Sequence, residues 1–149
     1  MNCSSCCKEF FKPTVQSTKV SIALLLLRVV MGLAFMYHGW GKIQSPFSWM
    51  PPEAPIPGIF QFLAAISEFG GGLALILGAI VPLAMLGLSI TMLVATCMHA
   101  FAMKDPFVAS GPGQSSFEPA LVYFCVSLVF MTIGAGKFSL DRKIFGERI

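Results

Sequence analysis

The stretch Ile59–Val81, IFQFLAAISEFGGGLALILGAIV, contains a single charged residue, Glu68. About 20 apolar residues in a helix cross the roughly 30 Å hydrocarbon core of a bilayer. The run therefore reads as a membrane span, and Glu68 as a charge inside it. Such a charge costs roughly 2.5–3.5 kcal/mol on insertion-based scales, so it needs a partner and points to function.

Three more apolar runs surround this one: Val20–Trp40, Leu83–Met103 and the shorter Pro119–Ala135. The chain is 56% hydrophobic and 11% charged, with a mean hydropathy of +0.79. Soluble domains carry about 25% charged residues, so a water-exposed surface cannot be built from this composition. Open strands are excluded as well, because lipid cannot satisfy their edges. The expected fold is all-α, an integral membrane four-helix bundle. The second and third runs nearly merge. Pro82 breaks helix at the preceding residue, so Ala79–Leu83 is expected to form a tight turn between two spans.

Lysine and arginine placement sets the orientation. Lys8, Lys12 and Lys19 precede the spans, and Lys137, Arg142, Lys143 and Arg148 follow them; the opposite loops offer Lys42 and Lys104. The positive-inside rule puts both termini in the cytoplasm. The expected organisation is a cytoplasmic tail (1–19), a four-span domain (20–138) and a basic cytoplasmic tail (139–149). The net charge of +3 is thus a topological signal and gives no reason to expect nucleic acid. The first run is too long for a signal peptide and lacks a small-residue cleavage site. Two outer loops, the proline-rich 43–58 and the turn-rich 104–117, could cover the bundle as a lid or serve as plain connections.

Residues three, four and seven apart share a helix face. That rule groups Arg28, Gly32, Phe35, Gly39 and Lys42 in the first span, with His38 on the flank. In the second it groups Ala64, Glu68, Gly71, Gly72 and Leu75. Small residues let membrane helices approach closely, so both stripes should face the bundle interior. Arg28 lies about 12 residues below the outer end of its span and Glu68 about 9, a difference of about 4–5 Å. Arg28 and Glu68 are expected to form an ion pair or share a hydrogen-bond network, either as a packing lock or as part of a site. His38, Lys42, His99 and Glu118 lie higher, and together could line a polar pocket in the outer half of the bundle. Histidine titrates near neutral pH, so such a pocket could handle protons for a quinone. Singly, each histidine also reads as a satisfied interfacial side chain.

No paired-histidine pattern lies within a span, and Met36, Met92, Met98 and Met103 read as apolar filler, so haem or metal is not expected. Cys3, Cys6 and Cys7 could serve as a redox dithiol, half a zinc site or a lipidation site; with no folded context around them they read first as a reactive terminus without catalytic duty. Cys97 and Cys125 read as small apolar residues, since a disulfide between them would compete with a His99–Glu118 pocket. No Rossmann fingerprint, P-loop, CxxCH motif or nucleophile elbow occurs.

Several segments resemble the DoxX family of small bacterial membrane proteins: Arg28-Val-Val-Met-Gly32, His38-Gly-Trp-Gly-Lys42, Glu68-Phe-Gly-Gly-Gly72 with Ile76-Leu-Gly78, His99, Glu118, and Gly134-Ala-Gly-Lys-Phe-Ser-Leu-Asp141. They run in order from about residue 20 to 143. The resemblance implies a multi-pass protein of the bacterial inner membrane, grouped with oxidoreductases. It also implies links to quinone-coupled sulfur oxidation or to defence against oxidative and thiol stress. It places Arg28, His38, Lys42, Glu68, His99 and Glu118 in the family's polar core. The expected activity is that of a quinone-linked oxidoreductase or a membrane subunit of a redox complex. Glu68, His99, Glu118 and His38 are the catalytic candidates, and Arg28 and Lys42 the ligand-binding ones. The alternatives are a scaffold for soluble redox proteins and a small homo-oligomeric transporter.

Overall fold

Ser17 opens the first long helix, its side chain accepting the Val20 amide at 3.3 Å. A serine here satisfies one of the amides that the first turn leaves without a partner. The computed structural model describes residues 8–54 and 56–148; the Cys3, Cys6 and Cys7 cluster lies outside them. Helix α1 spans Thr18–Gln44, α2 Gly58–Leu77, α3 Val81–Cys97, α4 Glu118–Ile133 and α5 Leu140–Phe145. A π-helical turn, Met98–Ala102, continues α3. The described residues contain no strand, apart from one isolated bridge between Thr14 and Arg148. Helices α1, α2 and the extended α3 are long and apolar enough to cross a membrane; α4 is apolar but shorter, at 16 residues.

Helix α1 packs on α2, α2 on α3 and α3 on α4. The α1–α2 contact is the closest in character, and glycine makes it so. A Cβ added at Gly32 would lie 2.7 Å from the Gly72 carbonyl, and one added at Gly72 equally close to that of Gly32. Arg28, Gly32, Phe35 and Gly39 are all buried, as are Glu68, Gly71, Gly72 and Leu75. The two stripes therefore face inward, as their spacing requires. Between the helices lie Met31, Leu75, Val81, Met85, Leu88 and Phe130, and Phe35 meets Tyr123 of α4 at 4.9 Å. The outer faces expose Leu26, Val30, Leu83 and Ile90, which suits a lipid environment.

The turn between α2 and α3 is three residues long. Gly78 adopts φ +67 and closes α2; Ile80 follows at φ +46, and Pro82 sits in the first turn of α3. There its missing amide costs nothing. This turn, the N-terminal segment and α5 gather at one end of the bundle, the tail end. Thr14 bonds to the Ile133 carbonyl at 3.0 Å, Arg148 N to Pro13 O at 2.9 Å and Asp141 N to Gly78 O at 2.8 Å. At the opposite, loop end, the proline-rich segment folds back on α2. Phe47 stacks on Phe62 at 5.0 Å. The Gln61 side chain accepts from Met50 N at 3.0 Å and donates to Ile56 O at 3.0 Å.

Candidate functional site

Arg28 does not pair with Glu68. Its guanidinium points to the tail end and donates to four main-chain carbonyls. Nε reaches Leu75 at 2.8 Å, Nη1 reaches Ala135 and Phe138 at 2.8 Å each, and Nη2 reaches Ile76 at 2.9 Å. These carbonyls lie at or just past the C-terminal ends of α2 and α4, where helices lack internal partners and favour a cation. The expectation failed because it compared depths along the axes and ignored side-chain direction. Helical side chains lean toward their own N-terminus. Arg28 on α1 therefore leans to the tail end, while Glu68 on the antiparallel α2 leans to the loop end. Glu68 also precedes Leu75 by seven residues, about 10 Å along the helix.

Asp141 completes the tail-end lock. Its Oδ1 accepts from Ile80 N at 2.6 Å and its Oδ2 from Val81 N at 2.8 Å, capping the start of α3. Burial raises this carboxyl above its ordinary value, while the two amides and Arg28 pull it back. A side chain at Gly78 would overlap Arg28 Nη2 and Ser139 Cβ. Asp141 was visible in the Gly134–Asp141 segment, but nothing in the sequence linked it to the α2–α3 turn.

The direction that separates Arg28 from Glu68 brings Lys42 to it. Lys42 Nζ lies 2.6 Å from both carboxylate oxygens of Glu68 and 4.7 Å from the centre of the Trp49 ring. Glu68 is 3% exposed at its side chain, Lys42 26%. Trp49 is held in place by donating Nε1 to Gln61 O at 2.9 Å. A deep carboxylate, a half-buried ammonium and an aromatic face thus form one stack with an accessible edge. The sequence offered no sign of Trp49 and Gln61 as its supports.

His99 sits in the π-helical turn, a form that recurs at functional sites. Its Nδ1 lies 2.7 Å from Asp105 Oδ2. Lys104, at φ +56, turns the chain back so that Asp105 N also meets His99 O at 2.9 Å. Six residues is not a helical spacing, so this pair required the turn. His38 is exposed on α1. Glu118 opens α4 half-buried, with its amide donating to Phe107 O at 3.1 Å. No hydrogen bond or ion pair among the described residues joins His38, His99 or Glu118 to the Lys42–Glu68 stack.

At this end the hydrogen bonds form two pairs, Lys42–Glu68 and His99–Asp105, with none between them. Among the described residues no buried side-chain polar atom lacks a partner. Cys97 and Cys125 are free and exposed, and His99 faces Asp105 rather than Glu118.

The DoxX family model matches residues 23–102. That range holds Arg28, His38, Lys42, Glu68 and His99 and ends before Glu118 and Asp141. Inner membrane protein YqjF of Escherichia coli is 28% identical over 126 residues, 83% of this chain and 92% of that protein. An uncharacterized protein of Haemophilus influenzae is 31% identical over 124 residues, 82% of this chain and 90% of its own length. No solved structure matches the chain.

Proposed function

The chain belongs to the DoxX family of membrane proteins, and on that premise we propose that it serves a quinone-linked redox system of the bacterial inner membrane. In this reading α4 is a fourth span, both termini face the cytoplasm, and the tails 1–19 and 139–149 flank the 20–138 membrane domain. The E. coli relative's name supports the location, and the basic residues at the tail end support the orientation.

The observation that carries the reading is the Lys42–Glu68–Trp49 stack. A quinone ring entering from lipid would lie beside the half-buried Trp49, with a ring oxygen accepting from Lys42. Reduction to the quinol takes two electrons, drawn from a soluble redox protein, and two protons. Glu68 passes protons by way of Lys42, and the His99–Asp105 pair, apart from the stack, serves in this reading as a second proton carrier. Arg28 takes no part in binding here, because its donors are committed to backbone. His38 and Glu118 keep a weaker claim, as neither meets the stack or a side-chain partner among the described residues.

Glu68→Gln should lower quinone-dependent electron transfer and the quinone co-extracted with purified protein, while leaving insertion intact. Normal turnover and normal bound quinone in that variant would reject the role. The scaffold reading has its own support in the docked tails, tied by Thr14 and Arg148. It predicts that capture of a soluble redox protein depends on the tails and is indifferent to Glu68.

A further inference from the structure

The tail end carries an open basin of about 500 Å³ that the Arg28–Asp141 lock does not fill. Lys137, Ser139, Arg142, Lys143 and Glu147 line it. Arg142 Nε lies 2.7 Å from Glu147 Oε1; Lys137 and Lys143 have no carboxylate partner among the described residues. Three cations against one carboxylate leave the rim positive. The neighbouring Asp141 does not offset this, since its oxygens are turned inward onto the Ile80 and Val81 amides.

Large apolar side chains stand exposed beside these charges: Phe138 at 47%, Leu140 at 39% and Ile144 at 66%. Leu140 and Ile144, four residues apart, share one face of α5. The inward face is separate, with Asp141 buried and Phe145 stacked on Phe11 at 5.2 Å. A short helix at the end of a membrane bundle, apolar on one free face and cationic beside it, suits the interface. There its hydrocarbon can enter the acyl region while its cations meet phosphate.

The geometry points to a headgroup site for an anionic phospholipid: its phosphodiester over Lys137, Arg142 and Lys143, its chains along Phe138, Leu140 and Ile144. Ser139 Oγ is already engaged, donating to Gly136 O at 2.7 Å and accepting from Arg142 N at 3.2 Å, so the cations supply the recognition. The site stands on membrane insertion alone and is independent of the quinone reading.

The test is native mass spectrometry of the full chain in detergent, with phosphatidylglycerol and phosphatidylcholine of matched acyl chains. The native protein should retain the anionic lipid in preference. Each cation near an anionic surface is worth roughly fivefold in affinity, so Lys137→Gln with Lys143→Gln should weaken retention by about 25-fold. Lys8→Gln with Lys19→Gln removes equal charge from the same end, outside the basin, and should leave retention unchanged. Equal retention of both lipids by the native protein would overturn the site. So would an equal loss in the two double variants, or displacement of the lipid by inorganic phosphate at matched concentration.

Discussion

Arg28 and Lys42 share one face of α1, yet the two ends of the bundle use them in opposite ways. At the tail end, Arg28 is 1% exposed and spends its donors on four carbonyls. At the loop end, Lys42 is a quarter exposed, meets one carboxylate and lies under an aromatic ring. A cation that closes helix ends is committed to the fold. One that shares a deep carboxylate and keeps an open edge can still meet a ligand. Burial alone does not separate these roles, since both Arg28 and Glu68 are hidden; what the charge is bonded to does.

Breaking the lock should have the largest effect. Arg28→Leu strands four carbonyls and should cost about 3–5 kcal/mol, read as a collapse of monodisperse protein on size exclusion. Arg28→Lys should recover only part, because an ammonium lacks the planar fork. Wild-type yield from Arg28→Leu would erase the distinction between the ends. Gly78→Ala comes next, at about 2–3 kcal/mol, from its left-handed φ and the overlap with Arg28. A thermal unfolding midpoint within error of wild type would show that the turn can relax.

The loop end should respond less in stability and more in chemistry. Lys42→Met leaves Glu68 without its counter-ion. Because Lys42 is partly solvated, the loss should be about 1–2 kcal/mol, below that of a fully buried pair. Adding Glu68→Gln should restore most of the stability but none of the quinone retention. Recovery of both would make the pair a packing device like Arg28. His99→Asn, at a partly exposed pair, should change stability by less than about 1 kcal/mol. A larger drop in the unfolding midpoint would mean that the π-helical turn depends on Asp105 to hold its shape.

The inward stripes were legible because helical periodicity needs nothing but the chain: Gly32 and Gly72 had to face a neighbour once the spans were identified. The turn at Pro82 was legible for the same local reason, a missing amide. Asp105 was not, since its return to His99 depends on a left-handed residue at Lys104 that no composition rule requires. Gln61 was hidden too, because a glutamine near a span end looks like a solvated cap until the proline-rich loop is seen hanging from it.

Composition and period by themselves made this chain an apolar helical bundle with charges turned inward. Which charges meet was decided only in three dimensions. Antiparallel helices tilt their side chains in opposite directions, and that tilt carried Arg28 to the helix ends and delivered Lys42 to Glu68. Spacing along one helix cannot report the lean of its neighbour.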